Sequence, residues 1–483
     1  MAFFVQQIHR ALDKHLIPDY AKKVLHRRRP TFAVRKETRS VKSIKLSDHF
    51  TYQKLLRFTM PSIVMVIFSS IYSVVDGLFV ANLIGDLALS AVNIMFPVAM
   101  IFGAVGFMMG TGGSAIVAKT LGEDRPELAN RYFSLFLYAI MTVGALFSVI
   151  GMVWTAPIAR LAGASDLLMD DCITYGRILF GGTILFMLQT TFHSFFVVAE
   201  KPHLGLALAL ASGIANMALD YVFIGVLRMG IAGAAAATVI GYCVGGIIPL
   251  CYFLNPQRSG LRLTRTQFYG RQLRNACING SSELMSNISA SVVSILYNHQ
   301  LMRLIGEQGV AAFSVMMYVD FAFAATFLGF SMGSAPIVSF HYGAENHDEL
   351  HSVFRKSMTI IGIASLAMVT LSESLSRPLA AAFVGFDPAL MEMTAHGFRL
   401  FALCYFCNGL NIYASAFFTA LCNGLVSALI SFVRTLVLRG GMVLLLPALF
   451  GLDGVWLAVA VAETLCALIS IAFLAAKRKQ YHY

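Results

Sequence analysis

The chain has 483 residues, of which 58% are hydrophobic and only 13% charged, with a mean hydropathy of +0.73. A soluble protein of this length would carry about 25% charged residues, so a water-facing globule is excluded. The formal charge of +11 is concentrated at one end, because residues 1–57 hold fourteen Lys/Arg against four Asp/Glu. A basic excess beside an apolar block suits anionic lipid headgroups and argues against nucleic acid as the partner.

At the start of the chain, Phe4, Ile8, Leu12 and Leu16 form an i, i+4 apolar stripe. It reads either as an interfacial helix or as part of a disordered basic tail. No secretory signal peptide is expected, since the first long apolar run begins near Leu56. From there apolar blocks recur to about Ala476, each long enough for the roughly 20 residues that a helix needs to cross the hydrocarbon core. The spacing predicts spans at 56–82, 87–113, 131–154, 168–198, 205–226, 230–254, 274–303, 308–338, 353–372, 390–417, 424–447 and 452–475. The ten-residue alternation of a transmembrane barrel is missing. The eight cysteines are scattered, mostly within apolar blocks, and read as packing residues.

Twelve spans put both termini on one side. The breaks on that side and the termini carry twenty-eight of the thirty-six Lys/Arg. The other eight are Arg160, Arg177, Arg228, Arg303, Arg377, Arg399, Arg434 and Arg439. By the positive-inside rule both termini are cytoplasmic, as expected for a multi-pass protein of the plasma membrane.

The chain also repeats itself. "LIGDLALSAV" from Leu83 matches "LIGEQGVAAF" from Leu304, "KTLGEDRPEL" from Lys119 aligns with the stretch from Phe340, and "MGIAGAAAA" from Met229 matches "FGLDGVWLA" from Phe450. All three pairs are 221 residues apart. Six spans per half make the repeat parallel, with its axis along the membrane normal and a substrate site between the halves. The fold class expected is therefore an all-α polytopic membrane protein of two six-helix bundles. Its domains would be a basic extension (1–51), an N-terminal lobe (52–254), a basic linker (255–273), a C-terminal lobe (274–476) and a short tail (477–483). Two bundles that can rock about a central cavity point to a transporter.

The residues from about 52 to 476 resemble the multidrug and toxic compound extrusion (MATE) transporters. The resemblance is carried by "FTMPSIVMVIFSSIYSVVDGLFVANLIGDLALSAVNIMFPV", by "GTGGSAIVAKTLGEDRPELA", by "AEKPHLGLALALASGIANMALDYVFIGVLRMGIAGAAAATVIG", and by "NGSSELMSN" at the seventh span. The last is similar to the bacterial drug-efflux branch. The resemblance implies a secondary antiporter that exports organic, amphipathic and cationic compounds in exchange for H⁺ or Na⁺. It implies no enzyme activity and no cofactor beyond the coupling ion. The expected partners are small organic substrates and membrane lipids, with the chain acting as a monomer. Two other readings stay open, a lipid-linked sugar flippase of the related superfamily and a membrane receptor that transports nothing.

Ionisable residues inside spans cost about 2.5–3.5 kcal/mol each and are functional candidates by default. Asp76 lies in the first span, Asp220 in the fifth with Asn216 one turn earlier on the same face, and Thr238 in the sixth. The resemblance implies that Asp76, Asn216, Asp220 and Thr238 form one cation site. Two carboxylates in one low-dielectric cavity would hold a proton, or Na⁺ would neutralise Asp76 and Asp220 with help from amide and hydroxyl oxygens. The repeat mates of the two acids are Tyr297 and Gly441, so the second half lacks this site. There the acids are Glu283, Asp320 and, as the weakest candidate, Glu463. Glu283 and Asp320, with Met316 and Tyr318, are candidates for substrate binding, joined by the nearby Met317, Phe321 and Phe323. Met and aromatic surfaces suit varied ligands, although such residues serve more often as core. His193 in the fourth span reads as a proton relay or, more commonly, as a satisfied interhelical histidine. Pro61, Pro97 and Pro336 permit kinks. No phosphate-binding glycine loop accompanies these residues, so ATP is not the direct energy source.

Overall fold

The computed structural model describes residues 44–255, 260–384 and 387–483. The stripe of Phe4, Ile8, Leu12 and Leu16 lies outside the described residues, as does most of the basic extension. Twelve spans follow in order. α1 (Tyr52–Leu83), α2 (Asp86–Gly122) and α3 (Pro126–Val153) are continuous. α4 is formed by Met169–Gly181 and Thr183–Val198, bent by 51°. α5 (Pro202–Asp220) runs directly into a π-helix, Tyr221–Val226, and α6 is Ile231–Leu254.

The second half continues with α7 (Gly270–Ile305), α8 (Glu307–Gly343) and α9 (His347–Val384). α10 joins Pro388–Ala402 to Tyr405–Ala420 through a 49° bend. α11 starts as Gly424–Phe432, passes through a second π-helix at Val433–Arg439, and ends at Gly451. α12 is the remainder of the helical run Gly440–Tyr481.

Local chemistry sets many of these boundaries. Proline opens α3, α5 and the first piece of α10, where its missing N–H costs nothing. The Thr51 hydroxyl accepts from Lys54 N to cap α1, and Asp387 Oδ1 accepts from Ala389 N and Leu390 N to cap α10. Gly451 separates α11 from α12 because its φ of 57° with ψ of −131° is a combination that an L side chain rarely tolerates. On length and hydropathy alone eight helices pass as spans, or ten with each bent pair taken as one. The count rises to twelve because 424–481 is a single apolar run broken at Gly451, and because α7 is long enough but carries Arg271, Arg274, Asn279 and Glu283.

Apolar side chains face outward along these helices, including Leu146, Val149 and Val153 on α3, Ile363 and Leu366 on α9, and Leu468 and Ile471 on α12. Such stripes would be a liability in water and are normal against lipid. The repeat recurs in the backbone. Asp124 and Glu345, both in left-handed turns, are 221 residues apart, as are Gly230 and Gly451.

The N-lobe (α1–α6) and C-lobe (α7–α12) meet on the side that holds both described chain ends. A side chain on Gly122 would overlap the Phe340 carbonyl, and one on Gly343 would overlap the Lys119 carbonyl. These two contacts are repeat mates, each glycine meeting a carbonyl of the other lobe. Gly112 of α2 meets Ala276 and Gly280 of α7, and Gly333 of α8 meets Thr59 of α1, again as repeat mates. Asn279 bridges the seam by donating to the carbonyls of Gly112 (3.4 Å) and Thr419 (2.8 Å). The molecule is therefore closed on this side, with backbone against backbone.

Candidate functional site

Asp76, Asn216, Asp220 and Thr238 converge within the N-lobe, in the half of the membrane away from the chain ends. Asp76 lies late in α1, Asp220 ends the α-helical part of α5, and Thr238 sits two turns into α6. The carboxyls of Asp76 and Asp220 face each other, with the Asn216 side chain beside Asp76. Asn216 Nδ2 approaches Thr238 Oγ1 at 3.5 Å, while Thr238 donates to the Ala234 carbonyl at 3.0 Å. Asp220 has no exposed surface, and Asn216 is 4% exposed.

The notable feature is what these atoms lack. Asp76 Oδ1, both carboxyl oxygens of Asp220 and Asn216 Oδ1 are buried without a hydrogen-bond donor. Among the described residues neither acid has a salt-bridge partner. Buried polar atoms are nearly always satisfied, so four orphaned acceptors in one place need an explanation. Tyr72, Tyr175 and Tyr242 lie within electrostatic reach of Asp76. The π-helix begins at the residue after Asp220, and such irregularities are frequent at functional sites. The four residues offer oxygen donors only, a set that fits a hard monovalent cation. No group of three or more His, Cys, Asp or Glu gathers among the described residues.

The C-lobe holds a different centre, which sequence reasoning missed. Glu463 of α12, with no exposed surface, accepts from Arg434 Nε (2.8 and 3.0 Å) and from Arg439 Nε (3.0 Å) and Nη2 (2.6 Å). Asn411 donates from Nδ2 to Glu463 Oε2 at 2.7 Å and accepts at Oδ1 from Ser470 Oγ at 2.8 Å. Arg434 Nη2 also donates to Asn408 Oδ1 at 2.9 Å. The signal was present in the sequence as two in-span arginines and one in-span glutamate, which must pair in low dielectric.

Asp320 is 7% exposed and lies within reach of Arg439, Arg434 and the Tyr405 hydroxyl, so it joins the edge of this network. Glu283 on α7 is half-buried and feels Arg434. Met316 has no exposed surface and packs in the C-lobe core, where it and Trp456 together fill the space that a side chain on Gly397 would need. In this conformation it lines no open surface. The side chain of Tyr318 lies outside the described residues. Phe323 stacks edge-on to Tyr405 at 5.2 Å, whereas Phe321 is exposed. His193 is half-buried on α4.

Two parallel six-helix lobes with a polar centre in each, closed along one side, define a polytopic membrane transporter. The chain belongs to the MatE family, which it matches over residues 61–222 and 284–442, one stretch in each lobe. It is 20% identical over 422 residues to the multidrug export protein MepA of Staphylococcus haemolyticus strain JCSC1435, covering 87% of this chain and 92% of that one. A MATE crystal structure in complex with MaL6 superposes with a TM-score of 0.86 at 20% identity, over 92% of this chain and 99% of that one. An outward-facing structure of a multidrug resistance MATE family transporter of the MOP superfamily gives 0.85 at 20% identity, over 91% and 98%. At that identity the superpositions show the fold, which is the twelve-helix, two-lobe MATE fold expected from the sequence.

Proposed function

We propose that this MATE transporter is an antiporter that exports organic, amphipathic cations in exchange for H⁺ or Na⁺, with the coupling ion bound at Asp76, Asn216, Asp220 and Thr238. The observation that carries this reading is the set of four buried acceptor oxygens with no donor and no cationic side chain among the described residues. Two carboxyls in contact repel unless a proton or a cation lies between them. A fixed arginine would have neutralised them permanently, so its absence leaves the position to an exchangeable ion.

The C-lobe supports the assignment by contrast. Its acid Glu463 has Arg434 and Arg439 as resident counter-charges and needs no ion from solution. Glu283 and Asp320, with Met316 and Tyr318 on the neighbouring stretch of α8, remain the proposed contacts for a cationic substrate. The name that the MepA relatives carry, multidrug export, agrees with this direction and breadth of transport. The charge asymmetry supports chain ends in the cytoplasm. The closed side is then the cytoplasmic one and the conformation faces outward. The chain is proposed to work as a monomer in contact with lipid.

The test is reconstitution into liposomes with an imposed pH or Na⁺ gradient and a panel of fluorescent organic cations. Asp76→Asn and Asp220→Asn should each abolish gradient-driven efflux while the protein still folds. Wild-type efflux by both would remove this site from the mechanism.

A further inference from the structure

The eight residues before α1 are more than a tether. Leu46 is 1% exposed and Phe50 has no exposed surface. Both pack in a cluster that spans the lobes, with Val197 of α4 on one side and Ile337, Leu350 and Val353 of α8 and α9 on the other. The backbone of this strap is held by one carboxylate from each lobe. Glu200, in the left-handed turn between α4 and α5, accepts from Leu46 N at 2.7 Å. Glu349, in the first turn of α9, accepts from Phe50 N at 2.8 Å.

Further contacts tighten the C-lobe side. His49 Nδ1 lies 2.6 Å from Glu349 Oε2, and Lys356 Nζ donates to the Phe50 carbonyl and to Ser352 Oγ. Glu349 is itself placed by Asn346, whose Oδ1 accepts from Glu349 N at 3.1 Å. Neither acid belongs to the repeat, since the mates of Glu200 and Glu349 are Leu421 and Leu128. Duplication built the glycine seam twice, whereas this pair of carboxylates occurs once among the described residues.

We propose that Glu200 and Glu349 are positioning residues of the transport cycle, pinning the strap 44–50 across both lobes and so holding the cytoplasmic face shut. The strap can bridge the lobes only while they are together. If they separate, at least one of its two amide–carboxylate bonds must break, and hydrogen bonds to ionised acceptors are the stronger kind. The strap is continuous with α1, and Asp76 lies about 36 Å further along that helix at 1.5 Å per residue. A change at the coupling site thus has a direct mechanical route to the latch. The inference rests on the outward-facing assignment above but not on the identity of substrate or ion.

The test needs no substrate. Spin labels at Glu127 and Arg355, exposed positions on the cytoplasmic flanks of the two lobes, report the opening of that face in proteoliposomes. In the wild type a single short distance should dominate. Glu200→Ala and Glu349→Ala should each move the closed-to-open ratio about tenfold toward open, a change equivalent to 1.4 kcal/mol. Glu349→Gln should restore part of it, because its amide oxygen can still accept from Phe50 N. Lys356→Met, which touches neither acid, should shift the ratio in the same direction and guards against a folding defect in the glutamate variants. Opening also raises the fraction competent to bind from the cytoplasm, so apparent KM should fall in these variants. Unchanged distances in Glu200→Ala, Glu349→Ala and Lys356→Met would overturn the proposal, as would a lowered melting temperature with no change in the distances.

Discussion

Glu463 of α12 and Tyr242 of α6 occupy equivalent positions in the two lobes, 221 residues apart, and only Glu463 is ion-paired. Around Glu463 the lobe supplies Arg434 and Arg439, while around Tyr242 it supplies Asp76. Duplication has therefore produced two polar centres of opposite logic. One carries its own counter-charges. The other presents acceptor oxygens with no ion-pair partner among the described residues.

The self-contained centre should behave as a structural ion network. Glu463→Gln leaves two guanidiniums buried without their carboxylate, and breaking a buried pair from one side costs about 3–5 kcal/mol. Thermal unfolding in detergent should show a marked drop in melting temperature. Replacing Arg434, Arg439 and Glu463 together with leucine should recover most of it, since a packed apolar trio costs no desolvation. Failure of the triple variant to regain stability would assign the network a role beyond charge balance.

The open centre should respond in the opposite sense. Asp220→Asn removes one of two facing carboxyls, and its amide nitrogen can donate to Asp76. This variant should be at least as stable as the wild type by thermal unfolding, although its driven transport is lost. Substantial destabilisation would mean that the Asp76–Asp220 contact is structural.

Asn216→Leu deletes the amide beside Asp76 while keeping the side-chain volume. Gradient-driven efflux should fall about tenfold or more, with equilibrium binding of a fluorescent substrate unchanged. Loss of binding at the same rate as flux would place Asn216 in the substrate path instead.

The seam makes its own prediction. Gly122→Ala and Gly343→Ala each put a methyl group on a carbonyl oxygen of the other lobe, and a rigid backbone cannot yield as a side chain would. Each should open the cytoplasmic face, read as increased labelling of residues in α2 and α8 by a membrane-impermeant reagent, with similar effects because the contacts are repeat mates. An effect at one glycine alone would contradict the symmetric closure.

Much of this was legible in the sequence. The spans could be read because each is an apolar block of membrane length, and the repeat because Gly85, Gly122 and Gly230 return at 306, 343 and 451. The N-lobe quartet was grouped by the family resemblance, and the rarity of acids in spans and the one-turn spacing of Asn216 and Asp220 agreed with it. The C-lobe network was hidden by geometry. Residues 434 and 439 are five apart, which in an α-helix places them about 140° apart around the axis. The π-helix Val433–Arg439, with its i→i+5 bonding, turns them toward one face, where Glu463 meets both. No periodicity in the sequence announces a π-helix. The bends at Gly182 and at Leu403–Cys404 were likewise invisible inside continuous apolar runs. The strap was hidden because its hydrogen bonds join residues 154 and 299 positions apart.

The most direct measurement is ion movement itself, followed in proteoliposomes as substrate leaves, with a trapped pH dye for H⁺ and a radiotracer for Na⁺. Ion uptake coupled to efflux should vanish in Asp220→Asn. It should persist in the variant carrying leucine at positions 434, 439 and 463. Coupled uptake that survives Asp220→Asn, or that is lost in a well-folded C-lobe variant, would contradict the placement of the coupling ion in the N-lobe.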